Sequence, residues 1–153
     1  MPLVISAIAI IAVVAVVIFT GHKKSAGTTA ANAPADPYAA NLALTDLAMS
    51  ESANLAGGKV TYLDGRIANH GNQTVTAVTV QVLFRNGANE VAQNETLPLN
   101  LIRMRDPYID TEAMSAAPLK PGTDHEFRLI FDSVSPDWNG AYPEVRVLKV
   151  EAR

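Results

Sequence analysis

Two hydrophobic patterns divide the chain. The first is a continuous run, Leu3 to Phe19, in which Ser6 is the only polar residue and no residue is charged. A helix over residues 2–20 would be about 28 Å long at about 1.5 Å per residue, close to the hydrocarbon thickness of a bilayer. The run has no polar stripe, so it reads as a transmembrane helix rather than an amphipathic surface helix. A cleaved signal peptide is the rival reading, but His22, Lys23 and Lys24 follow the run instead of preceding it. The order of charge and small residues that processing needs is therefore reversed, and a retained anchor is expected.

The second pattern begins at Leu42, where apolar and polar residues alternate with a period of two in short runs separated by turns. Leu42, Leu44 and Met49 mark a weak first strand. In KVTYLDGRIAN, one face holds Thr61, Leu63, Gly65, Ile67 and Asn69. After His70-Gly71-Asn72, the run TVTAVTVQVLFR puts Val78, Val80, Val82 and Phe84 inward, and Thr79, Gln81, Leu83 and Arg85 on the opposite face. Asn86-Gly87 predicts a tight hairpin with positive φ angles, and Glu90 to Leu97 returns antiparallel. Pro98, Pro107, Pro118 and Pro121 predict that most of residues 98–122 lies outside central strands and crosses between sheets. Phe127, Leu129 and Phe131 alternate again, Asp137 to Gly140 turns the chain, and Val145 to Val150 closes the pattern.

Between the two patterns, residues 21–41 are small and polar and are interrupted by Pro34 and Pro37. A flexible tether with a reach of about 25 Å is expected there. The predicted organisation is an anchor helix over 1–20, a tether over 21–41 and a domain over 42–153. The domain is all-β, an antiparallel sandwich of six to seven strands with immunoglobulin-like or fibronectin-like build.

Composition narrows the chemistry. The formal net charge is -3 at pH 7, without the basic footprint of a nucleic-acid binder, so no nucleic-acid partner is expected. There is no cysteine, which removes disulfides, thiolate metal sites and Cys nucleophiles. His22, His70 and His125 lack the paired spacing of zinc ligands. No G-x-S-x-G, phosphate loop or H-E-x-x-H occurs. Asp106, Asp110 and Glu112 gather in RDPYIDTE, and Asp132 and Asp137 flank a turn, but none follows the regular spacing of a calcium loop. No catalytic residue, cofactor or metal is expected.

The run Gly65-Arg66-Ile67-Ala68-Asn69, with Val75, Val78 to Phe84, Gly87, Leu119-Lys120-Pro121-Gly122 and Phe127-Arg128-Leu129, resembles the bacterial FxLYD-type domains. Arg85 stands at the place of the name-giving aspartate. The likeness spans about residues 58–150 and resembles in particular uncharacterised single-span envelope proteins. It implies a sandwich fold and a membrane-tethered habit, and it supplies no catalytic residue.

Two surfaces stand out for partner binding. The stretch 97–109, LPLNLIRMRDPYI, places Leu101, Arg103, Arg105 and Tyr108 together; it is either an exposed patch or an edge strand with a crossover. Trp138 is the only tryptophan, and is either a loop-tip anchor or a plug over Phe131 and Tyr142 with its indole N–H on a backbone carbonyl. The expected function is a noncatalytic, membrane-tethered interaction module. Its partners are the lipid bilayer, through residues 3–19, and another membrane or envelope protein. The alternative is a carboxylate-based enzyme acting on an envelope polymer. Lys23 and Lys24 favour a cytoplasmic domain by the positive-inside bias, whereas the sandwich type favours the outer side of the bacterial cytoplasmic membrane, and the reading leans outward.

Overall fold

The computed structural model describes residues 33–153. The expected anchor helix and most of the expected tether lie outside the described residues. Within them, a short 3-10 helix, Pro37–Asn41, is followed by eight strands: β1 (Leu42–Ala53), β2 (Lys59–Asn69), β3 (Val75–Arg85), β4 (Val91–Pro98), β5 (Asn100–Met104), β6 (Asp110–Ala113), β7 (Asp124–Phe131) and β8 (Glu144–Ala152). They form two antiparallel sheets, one in the order β1-β2-β7-β5-β6 and the other β4-β3-β8. The all-β architecture agrees with the alternation, but the strand count exceeds the expected six to seven.

The extra strands come from residues 98–122. That segment crosses between the sheets and most of it lies outside central strands, as expected, but it also contributes the short strands β5 and β6. The prolines bracket the strands instead of occupying them: Pro98 ends β4 and Pro107 lies between β5 and β6. β5 pairs with β7 only at Asn100/Arg128 and Leu101/Phe127. β1 is also longer than its weak pattern suggests, because a bulge between Thr45 and Ala48 shifts the alternation midway. Asp46 sits there with a φ of 55°.

The core fills the space between the inward rows. Leu63 and Ile67 from β2, Val78, Val80, Val82 and Phe84 from β3, and Phe127, Leu129 and Phe131 from β7 are buried together. Each such side chain contributes about 1.5–3 kcal/mol of transfer free energy. Gly65 lies on the same row as Leu63 and Ile67 because the Phe127 ring occupies its side-chain space: a Cβ there would lie 2.6 Å from that ring and 2.8 Å from Leu47.

Polar groups fix the two ends of the sandwich. The last residues of the expected tether are docked, so the tether as predicted to residue 41 is too long. The Asp36 N–H donates to the Leu148 carbonyl at 2.9 Å, and the Asp36 carboxylate accepts from the N–H groups of Tyr38 at 2.8 Å and Val150 at 3.3 Å. The Tyr38 hydroxyl accepts from the Gln73 N–H at 3.0 Å and lies 3.1 Å from Asn69 Oδ1. Asn69 is fully buried yet satisfied: its Nδ2 donates to the carbonyls of Gln73 and Leu119 at 2.8 and 3.1 Å. This explains an asparagine on an apolar row.

At the opposite end, the hairpin expected at Asn86-Gly87 forms, but the positive φ falls on Asn89, at 64°, and not on Gly87. Asn86 Oδ1 closes the loop by accepting from the N–H groups of Ala88 and Glu90 at 3.0 and 2.9 Å. Asn139 ties the second turn to it, donating from its N–H to the Arg85 carbonyl at 2.9 Å and from Nδ2 to the Asn86 carbonyl at 3.1 Å.

Candidate functional site

Alternation sends Tyr62, Asp64 and Arg66 of β2 and Glu126 and Arg128 of β7 to the outer face of the five-stranded sheet. The register sets Asp64 opposite Arg128 and Arg66 opposite Glu126. Arg128 forks onto Asp64 at 2.6 and 2.8 Å and lies over the Tyr62 ring, 4.5 Å from its centroid. Arg105, just beyond β5, forks onto Glu126 at 3.0 and 3.2 Å and approaches Asp64 at 3.6 Å. Arg66 pairs with Asp124.

Glu126, Arg105 and Arg66 are each shifted toward the ionised form. The hydrogen bond from Arg105 draws the Glu126 carboxyl below its ordinary range, against a smaller opposing effect of burial. Glu126 in turn raises the Arg105 guanidinium, and the hydrogen bond to Asp124 raises that of Arg66. Cross-strand pairs of this kind contribute tenths of a kcal/mol where exposed and more where solvent is excluded. Asp64 and Arg128, with side chains 17% and 13% exposed, form the most sheltered pair.

The residues expected to form a partner site are not brought to one place. Leu101 is fully buried, facing the core opposite Phe127, so its inclusion is corrected: the alternation of β5 turns it inward. Arg103 pairs with Asp110 across the β5/β6 hairpin, and Arg105 belongs to the array above. Tyr108 is 66% exposed in the loop between them. Of the two readings of residues 97–109, the structure gives the packing one: the segment crosses from the end of β4 into β5, which lies between β7 and β6, and Leu99, Leu101 and Ile102 are buried.

Trp138 lies at the other end of the sandwich. Its ring packs edge-on against Phe84 at 5.5 Å, and Phe84 packs edge-on against Phe131 at 5.1 Å. The indole N–H donates to the Ala141 carbonyl at 2.9 Å. This is the plug arrangement, with Phe84 as the direct ring partner, while Tyr142, expected under the ring, is 62% exposed.

Clefts open near this end, one lined by Arg85, Asn139 and Tyr142 among others and two beside Asp132. Of the latter two, one, of about 300 Å³, is lined by Trp138, Glu51, Lys59, Thr61, Asp132 and Val134 among others. The other, of about 210 Å³, is lined by Glu95, Leu97, Ile130, Phe131, Asp132 and Ser133. Asp132 borders both. Glu95 and the edge of β4 were not singled out from sequence; the only signal was a strand pattern ending in Pro98 with polar residues on both faces. Asp110, from the RDPYIDTE cluster, is engaged with Arg103. Among the described residues, no three His, Asp or Glu side chains are grouped to hold a metal ion.

Residues 39–145 match the model of a family described as Protein of unknown function (DUF2393). No curated protein and no solved structure matches the chain. No helix among the described residues is long and apolar enough to cross a membrane.

Proposed function

The chain belongs to that family of unknown function, DUF2393, and from this premise we propose that it is a membrane-tethered, noncatalytic interaction module. In this reading residues 3–19 span the bacterial cytoplasmic membrane. The sandwich is presented on the extracytoplasmic side to another membrane or envelope protein. The likeness to FxLYD-type single-span envelope proteins supports the same habit.

The observation that carries the reading is the way the chain joins the domain. Asp36 and Tyr38 pin the incoming segment to β8 and to the 69–73 turn. Those contacts lie at one end of the sandwich, and Trp138 and both clefts beside Asp132 lie at the other.

Crosslinking in native membranes followed by mass spectrometry, with protease accessibility on the same sample, tests the proposal. The expected result is a membrane-fraction protein joined to a defined partner and cleaved only from the outer side. Recovery of the intact polypeptide in the soluble fraction without detergent would overturn it. A second reading, a carboxylate enzyme acting on an envelope polymer, draws on Glu95 and Asp132 lining one cleft. It predicts that Asp132→Asn abolishes an activity while leaving the thermal transition in place.

A further inference from the structure

The edges of the two sheets are finished differently. The Leu99 N–H bonds to the Val78 carbonyl at 2.9 Å, and the register pairs Val80 with Leu97, Val82 with Glu95 and Phe84 with Gln93. By the alternation of an antiparallel ladder, Gln93, Glu95 and Leu97 are the residues whose backbone groups bond to β3. The N–H and C=O groups of Asn94 and Thr96 therefore point away from β3, whereas the register shift between Phe84 and Arg85 turns the Ala92 N–H back toward it, and no described strand pairs with β4 on that side.

Other edges are closed or broken. Asp36 covers β8, donating to the Leu148 carbonyl and accepting from the Val150 N–H. The bulge at Asp46 interrupts β1, whose second half is solvent-facing and polar at Ser50, Glu51 and Ser52. β6 is only 4 residues long. Natural sheets blunt edges by these means because an open edge is a template for another strand.

β4 also has a cleft beside it. Because β5 pairs with β7 only as far as Arg128, residues Ile130 to Ser133 have no strand on that side. The resulting cleft combines apolar Leu97, Ile130 and Phe131 with the carboxylates Glu95 and Asp132, and neither lysine nor arginine lines it.

We propose that β4 is a docking edge for an extended segment of a partner protein in which a lysine or arginine and an apolar residue stand two positions apart, on one face of the added strand. The added strand bonds to the outward groups of Asn94 and Thr96. On that face its apolar side chain meets Leu97 and Phe131, and its basic one meets Glu95 and Asp132. Backbone pairing gives affinity, and the side chains beside the edge give selectivity. The proposal rests on the interaction-module reading and names the chemistry of the partner.

The full-length chain in detergent micelles, titrated with a blocked octapeptide repeating Lys-Thr-Val-Thr and with its Glu-Thr-Val-Thr counterpart, tests it. The lysine peptide is expected to bind and to slow amide exchange at Asn94 and Thr96. T96P removes an outward N–H without touching the ladder to β3, and should weaken binding by about tenfold. E95K should shift preference toward the glutamate peptide. Equal binding of both peptides, protection confined to other strands, or unchanged affinity in folded T96P would overturn the proposal. A concentration-dependent dimer through β4 would overturn the choice of occupant. If native crosslinks join a partner at a surface remote from β4, the edge assignment fails while the module reading stands.

Discussion

Replacing Gly65 with alanine should destabilise the domain, although alanine ordinarily favours a folded strand. The backbone does not demand glycine there: Gly65 is absent from the positive-φ positions, which are Gly57, Gly122 and Gly140 among the described glycines. Restricting the unfolded chain would therefore stabilise by about 0.4–1 kcal/mol. Against that, the new methyl would lie 2.6 Å from Phe127 Cζ and 2.8 Å from Leu47 Cδ2. Both neighbours belong to or pack against the core, and overpacking of this kind costs about 1–3 kcal/mol. The net expectation is a loss of about 1–2 kcal/mol, or roughly 4–8 °C in the thermal transition of a domain this size. Thermal unfolding of the full-length protein, followed by Trp138 fluorescence and by circular dichroism, measures it. The companion variant Phe127→Leu removes the ring edge that collides with the methyl. The double variant should lose less than the sum of the singles, with a coupling of about 0.5 kcal/mol or more. A raised midpoint for Gly65→Ala, or strictly additive losses, would refute the steric account.

Three further outcomes follow from the polar contacts. Asp64→Asn leaves Arg128 sheltered with a neutral partner and should cost about 1–2 kcal/mol in urea unfolding, while Arg105 keeps its fork on Glu126. Tyr38→Phe removes the hydroxyl that accepts from the Gln73 N–H; the expectation is a loss of about 1 kcal/mol and faster amide exchange at Gln73. Glu126 titrates below its ordinary value of 4.5 when folded, so its stabilising share is present above that value and is lost as the pH falls through the depressed one. Acid unfolding curves of Glu126→Gln should accordingly be flatter than wild type in that window, and a parallel curve would contradict the pairing.

Much of the sandwich was readable from alternation because β2 and β7 keep one phase from end to end and β3 keeps one from Val78 to Phe84. β1 was not so plain, since Leu42 and Leu44 hold one phase and Leu47 and Met49 the other. That change of phase is the bulge at Asp46, where one added residue turns the following side chains to the opposite face. β5 was hidden by its flanking prolines and by the lack of alternation in Asn100-Leu101-Ile102-Arg103, where the adjacent Leu101 and Ile102 are both buried. The arginine–carboxylate array could not be foreseen: Arg128 and Asp64 meet only through the register of β2 and β7. Tyr38 looked like part of a linker because its hydrogen-bond partners are a buried asparagine and a turn backbone. Trp138 was legible as a plug because an indole needs both a packing surface and an acceptor for its N–H.

The docking of Tyr38 on Gln73 has a geometric counterpart at the other terminus. Thr74 and Arg153 exchange backbone hydrogen bonds of 2.9 and 3.0 Å, so the polypeptide arrives at and departs from the same pole. A fluorophore or affinity handle fused after Arg153 would sit beside the docked Asp36–Tyr38 segment and report on that neighbourhood alone. A label meant to sense what approaches the opposite pole belongs instead in the exposed turn around Leu55.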